Sequence, residues 1–376
     1  MKTSRTPLLI AVVVAVVALV AGVFVIRGAQ EEPPTPATQL NCLGGSEKSS
    51  LMADPEVIAI LRDKYSLAVQ FDKRGSYDLV QIPTEQLRSQ QVDCLWPSSA
   101  SARSVFEQTH QVGDFAYRAE SVLESPEVIY AGTDATDALV RAGIVAQREK
   151  SYYIVDLKRL LLEYVLPKKK WDTLGAQAAA GPIRVTSTDP KTSNSGFTLM
   201  QLQLAIVASG DVFTPPTPAE AKAGLPTIRA LYETQGLQAD SSEGGFREWL
   251  IQGAASLYAG YENQLLQQLV AYRGNESATE QVLTKTRMLY PDPTLFNSHP
   301  ILALTDKSRA LIDAMKDPAI QTIAWQRYGF RSGTQLGANL IGDYAQVPLA
   351  QQPRATPAPN ADVTLLLLRC IRDNAC

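Results

Sequence analysis

A chain of 376 residues that is 45% apolar and 19% charged has room for about two compact domains, and its composition excludes wholesale disorder. A net charge of −3, with Lys168-Lys169-Lys170 as the one basic run, excludes a nucleic-acid surface built on clustered cations. The two histidines, His110 and His299, neighbour neither a nucleophile nor a carboxylate pair, so no His-based triad or metal site is expected and no cofactor is implied.

After Lys2 and Arg5, residues 8–26 carry no charge. As a helix they would span about 28 Å, close to the hydrocarbon thickness of a bilayer. The basic residues in front favour a cytoplasmic N-terminus, so residues 1–29 are read as a stub and transmembrane anchor with everything after them exported. A cleaved signal peptide ending near Val20-Ala21-Gly22 is the competing reading, but the apolar run continues past that point. The expected location is the cell membrane, single-pass, with the globular part extracytoplasmic. Residues 30–39, with Glu31, Glu32, Pro33, Pro34 and Pro36, read as a tether.

From residue 40 short apolar runs alternate with amphipathic ones, the pattern of an α/β fold with mostly parallel sheets flanked by helices. Three successive predicted strands end in small polar residues. Strand 40–43 leads into Gly44-Gly45-Ser46-Glu47-Lys48, strand 67–71 into Lys73-Arg74-Gly75-Ser76, and strand 92–96 into Pro97-Ser98-Ser99. Ligands of open parallel sheets bind at the carboxyl ends of strands, so the repetition suggests one shared rim, although any one of these serines could be a turn or cap residue. The Gly44–Ser49 segment lacks the spacing of a phosphate loop, which excludes nucleotide hydrolysis.

A strand at 127–130 followed by Gly132-Thr133-Asp134 marks a crossing into a second lobe. There, predicted strand 183–186 runs into Thr188-Asp189-Pro190-Lys191-Thr192-Ser193-Asn194-Ser195-Gly196 and then into a helical run at 197–208. Helix capping alone would account for that turn, but its unpaired N–H groups and hydroxyls also form a cup for a polar or anionic ligand. Helices are expected at 153–166, 226–234, 245–255 and 261–271, the last opening on Glu262. A strand at 298–304 returns to the first lobe, and a helix capped by Asp317 and ended by Gly329 follows. Residues 345–376 read as a linker and a cysteine-bearing tail. Of the three pairings open to Cys42, Cys94, Cys370 and Cys376, Cys42–Cys94 with Cys370–Cys376 is preferred.

Taken together, Gly45-Ser46-Glu47-Lys48, Gly75-Ser76, residues 93–99, residues 189–196, Leu289-Tyr290-Pro291 and Arg327-Tyr328-Gly329-Phe330-Arg331 resemble the type 2 periplasmic (extracellular) solute-binding proteins, in the branch of the molybdate and phosphate receptors of ABC importers. The resemblance implies a two-lobed fold, with lobe 1 at 40–129 plus 300–344 and lobe 2 at 130–299, that closes on a ligand without catalysis. Carried over by position, Ser46, Glu47, Ser76 and Ser98 would face the ligand from lobe 1, Thr133 from near the hinge, and Ser193, Asn194, Ser195 and Glu262 from lobe 2. The implied partners are a small polar solute or oxyanion, the membrane through the N-terminal helix, and an ABC permease or another envelope protein. The alternative is a ligand-free domain of the same fold serving as a sensor or interaction subunit.

Overall fold

A computed structural model describes residues 37–149, 151–209, 211–252, 257–335 and 339–376. The expected anchor at 8–26 and most of the tether lie outside the described residues. Among the described residues no helix is long and apolar enough to cross a membrane.

The strands are β1 Thr38–Gly44, β2 Leu67–Lys73, β3 Cys94–Trp96, β4 Arg118–Gly132, β5 Val145–Gln147, β6 Tyr153–Val155, β7 Val185–Thr186, β8 Leu257–Tyr261, β9 Thr286–Pro291, β10 Phe296–Ala303 and β11 Arg331–Ser332. They form one path in the order β2-β1-β3-β10-β4-β9-β6-β5, with β11 and β8 also on β4 and β7 on β8. The 15-residue β4 joins two halves. Its first part pairs with β10 and β11, and its last part pairs with β8 and β9. Strand β10 runs back beside it, shifting register between His299 and Pro300. Pro300 has no N–H to give the ladder, so a bulge is the expected consequence of a proline in a central strand.

The sheet is mixed rather than mostly parallel. The pairs β1–β3, β6–β9 and β7–β8 are parallel, while β4 and β10 run antiparallel to their neighbours. The two strands that carry the chain between halves enter each half from the end opposite to strands wound in by crossover helices. Antiparallel pairing follows from that connectivity.

Local chemistry sets the helices. Asp54 accepts from the N–H groups of Glu56 and Val57, Pro55 occupies the first turn of Pro55–Tyr65, and Val57 and Leu61 point inward. Helix Asn194–Ala208 is buried along nearly its whole length, as a helix apolar on all sides must be, and so lies within the core. Pro218–Thr234 begins earlier than its apolar pattern suggests, because Thr217 and Glu220 form a capping box. The run at 153–166 is not one helix: it is strand β6, then Leu157–Arg159 and a π-helical Leu160–Val165. Cys42–Cys94 links neighbouring strands β1 and β3, and Cys370–Cys376 closes the C-terminus.

The segment expected as a second linker is packed. Val347, Leu349 and Ala350 are buried with Tyr290 and Trp325, and Thr294 bridges to Ala355. The tail beyond it forms a helix, Ala361–Asp373, capped by Asn360, with Val363, Leu367, Leu368 and Ile371 buried. Each such side chain contributes roughly 1.5–3 kcal/mol on burial, so this helix belongs to the core. From the sequence it reads only as a cysteine-bearing tail, because what it packs on is far away in the chain.

Candidate functional site

The first wall of the candidate site is built from the carboxyl ends of β1, β2 and β3. Each strand runs into a short turn or helix start: Ser46–Lys48 after Gly45, Ser76–Leu79 after Gly75, and Ala100–Thr109 after Ser99, whose hydroxyl caps it. The second wall holds the start of helix Asn194–Ala208 after β7, the start of Ser242–Ile251, and the end of β8. The walls touch. A Cβ placed on Gly75 would lie 2.3 Å from the Thr192 carbonyl oxygen, and the rings of Tyr77 and Phe197 sit 4.3 Å apart. Only glycine permits so close an approach of two backbones at position 75.

Between the walls lies a cavity of about 250 Å³ lined by Ser46, Glu47, Ser76, Ser98, Ser193 and Asn194, with Ser241 and Ser242 beside them and Lys73, Arg74, Asp240 and Glu243 at its rim. The first turns at Ser46, Ser76, Asn194 and Ser242 all contribute to it. Neither Gly45, Gly75 nor Ser193 places a side-chain cap on the turn it precedes. The unpaired N–H groups of a first turn are donors in the direction of such a cavity.

The floor is closed by charge. Lys48 is fully buried, and its ammonium is hydrogen-bonded to Glu47, to Ser98 Oγ at 2.8 Å and to His299 Nδ1 at 3.2 Å, which uses all three of its protons. Ser98 Oγ also donates to Glu47. Burial opposes ionisation of Glu47, but the adjacent Lys48 ammonium outweighs it and holds the carboxyl well below its usual range. Burial, aided by Lys48, pushes His299 down to about 4, so its ring is neutral at pH 7 and Nδ1 accepts from the ammonium. Asn194 Nδ2 spans the seam, donating to the Ser98 carbonyl at 3.0 Å and lying 3.0 Å from the Tyr261 hydroxyl, while its Oδ1 has no partner. Asn297 donates to Glu127, whose pKa burial raises well above the carboxylate range.

Neither a family model nor a curated protein matches this chain. Solved structures do. A periplasmic thiamin binding protein is similar over 90% of this chain and 97% of its own, with TM-score 0.58 and 10% identity. The ferric binding protein from Campylobacter jejuni (0.55, 12%, covering 89% and 99%) and the sulfate-binding protein SubI from Mycobacterium tuberculosis H37Rv (0.52, 13%, covering 90% and 99%) are similar to it as well. The fold is that of the type 2 periplasmic solute-binding proteins.

Within this binding-protein fold, six of the nine residues expected at the ligand, Ser46, Glu47, Ser76, Ser98, Ser193 and Asn194, line the interlobe cavity. Three do not. Strand β4 leaves the hinge and runs away from the cleft, pairing Glu127 with Tyr261 and Tyr130 with Tyr258, so Thr133 at its far end lies on the opposite rim of the second half. Ser195 is buried behind the wall, 2.7 Å from Thr188 Oγ1, in a hydroxyl cluster with Ser242. Glu262 is buried and paired with Arg331 through both carboxylate oxygens, at 2.6 and 2.8 Å, and with the Tyr290 hydroxyl. It ties β11 to the second half and has no free oxygen for a solute.

Sequence reasoning passed over Lys48, His299 and the rim at 240–243. The signal for Lys48 was a charged residue inside an otherwise small and polar turn. For Ser241 and Ser242 it was a serine pair ahead of Gly244-Gly245, one more turn of the type already noted at 46 and 76.

Proposed function

We propose that this chain is a membrane-anchored extracytoplasmic binding domain that receives a small polar solute, with an oxyanion as the favoured class, in the cavity between its halves and performs no chemistry on it. The observation that carries the reading is the cavity of about 250 Å³ lined from both walls by hydroxyls and an amide, those of Ser46, Ser76, Ser98, Ser193, Asn194, Ser241 and Ser242, with Lys73 and Arg74 exposed at its rim. Backbone N–H donors, hydroxyls, Lys73 and Arg74 suit negative charge, whereas Asp240 and Glu243 on the same rim and the ionised Glu47 oppose it and suit a hydroxylated solute. The unpartnered Asn194 Oδ1 calls for a donor, which a protonated oxyanion or a hydroxylated solute supplies. The anchor reading is supported by the charge-free run at 8–26, and export by two disulfides, which persist in oxidising compartments. An ABC permease or another envelope protein is the corresponding partner.

A thermal-shift panel of sulfate, phosphate, molybdate, polyols and amino acids tests the reading. A binding solute at a hundred times its Kd stabilises by about 2.7 kcal/mol, and the shift grows with concentration. Arg74→Ala combined with Ser193→Ala should abolish it. No shift with any probe, or a shift untouched by the double substitution, rules the cavity out as the binding site.

A second reading has its own observation. Two of the side chains lining the cleft, Glu47 and Ser98, are already held by the protein's own buried Lys48 ammonium, which favours a binding-protein-like domain acting as a sensor or docking subunit of an envelope complex. Under it the whole panel stays silent.

A further inference from the structure

The C-terminal helix Ala361–Asp373 touches both halves. Its buried face, Val363, Leu367, Leu368 and Ile371, shares one apolar cluster with Val105 and Phe106 of the first half and with Phe197, Leu225 and Ile228 of the second. Its polar ties divide in the same way. On the first-half side Ser101 donates to the Pro359 carbonyl at 2.9 Å and Gln108 to Asp362 at 2.7 Å. On the second-half side Arg229 donates to Asn374 at 2.6 Å, and Gln201 lies 3.4 Å from Thr364. Arg372 holds both at once, with Nη2 donating to Asp78 Oδ1 at 2.7 Å and to the Lys191 carbonyl at 2.8 Å. Asp78 follows Gly75 on one wall of the cleft, and Lys191 precedes Thr192 on the other.

Hinge opening separates Gly75 from Thr192 and therefore Asp78 from Lys191. A helix bonded to both cannot stay bonded to both as the halves part. We propose that the C-terminal helix is a strap across the interlobe seam, and that the cleft opens only when this helix releases one half. The strap thereby sets how often the cavity is accessible, and a solute competes against it. This rests on the solute-binding reading only for its consequence for uptake; the strap is tested with no solute present.

The Cys370–Cys376 disulfide belongs to the same device. It spans a sequence separation of only six, so the loop entropy it removes is small and its effect is local. It holds the last turn, where Asn374 caps the helix in a left-handed conformation and Arg372 reaches across the seam.

Hydrogen–deuterium exchange on the full chain tests the strap. Deleting residues 361–376 should speed exchange in the seam peptides 72–79 and 189–198 by about tenfold or more while the 127–132 part of β4 keeps its protection, since local opening costs less than global unfolding. Arg372→Ala and the Cys370→Ser, Cys376→Ser pair should raise the same peptides by smaller factors. Unchanged seam peptides in all variants, or β4 losing protection in step with them, would overturn the strap, because the helix would then be an ordinary part of the common core. If the deletion does not fold, Arg372→Ala decides alone by the same criterion. Protection of the seam by sulfate or another probe of the panel in the wild-type chain reports separately on the solute reading, and its absence leaves the strap result standing.

Discussion

The floor and the mouth of the cleft meet within one turn, where Lys48 lies beside Ser46 and Glu47, yet they are built on opposite principles. At the floor every charge has a partner: the Lys48 ammonium meets Glu47, Ser98 and His299 with no exposure to water. At the mouth, Lys73 and Arg74 are exposed above a polar cavity, over first turns that carry no side-chain cap. Mutual pairing of Lys48, Glu47 and Ser98 makes the floor a structural joint between β1, β3 and β10, with only His299 Nε2 left without a partner, whereas the uncapped turns leave the mouth with donors to offer. Substitutions in the two regions should therefore separate stability from binding.

The largest effect is expected at the floor. Lys48→Met leaves the buried Glu47 carboxylate without its cation and should cost about 3–5 kcal/mol in urea unfolding, whereas Glu47→Gln with Lys48→Met together should cost less than the single change. Arg74→Ala at the mouth should stay within about 0.5 kcal/mol of the wild type. Equal losses at 48 and 74 would erase the distinction. Next comes the seam: Gly75→Ala drives a Cβ to 2.3 Å from the Thr192 carbonyl, an overlap that costs about 1–3 kcal/mol and should loosen the seam peptides in exchange.

A smaller effect depends on pH. Burial raises the folded-state pKa of Glu127 above its unfolded value near 4.5, so the folded chain holds more protons above that pH and the wild type loses stability there as pH rises. Glu127→Gln lacks this loss, and its stability relative to the wild type should climb above pH 4.5 by up to about 1.4 kcal/mol per unit. His299 acts in the other direction. Pushed down to about 4, it costs stability as pH falls from about 6.5 toward 4, when the unfolded ring protonates first. Unfolding curves of both chains at pH 4, 5, 6 and 7 check the signs. The smallest effect belongs to Thr133→Ala, on the far rim, which should leave any solute-induced thermal shift unchanged. A lost shift would place the site elsewhere.

Much of the site was readable as a list and little of it as an arrangement. Small polar residues after Gly44, Lys73 and Trp96, and again from Thr188 to Gly196, announced strand-to-helix turns, because only such residues cap a helix start or permit the close approach that Gly75 makes. Ser195 was misplaced because an alternating run of hydroxyls does not say which of them face out. Thr188 and Ser242 decided that by bonding to the Ser195 hydroxyl behind the wall. Glu262 looked like a first-turn acid and became an ion pair because β11, about 70 residues further on, brings Arg331 against it. The expected parallel sheet gave way to a mixed one for a similar reason: residue pattern marks a strand, but its direction in the sheet depends on how the chain returns.

By itself the sequence determined most element types, the strand-to-helix turns and the α/β class. These depend on spacing over a few residues, where backbone geometry and side-chain period act directly. Only the tertiary structure decided that Lys48 fills the floor, that Thr133 faces away and that the C-terminal helix lies across both halves. Each of those rests on contacts between residues far apart in the chain, and burial and charge pairing acquire a direction only once those residues have met.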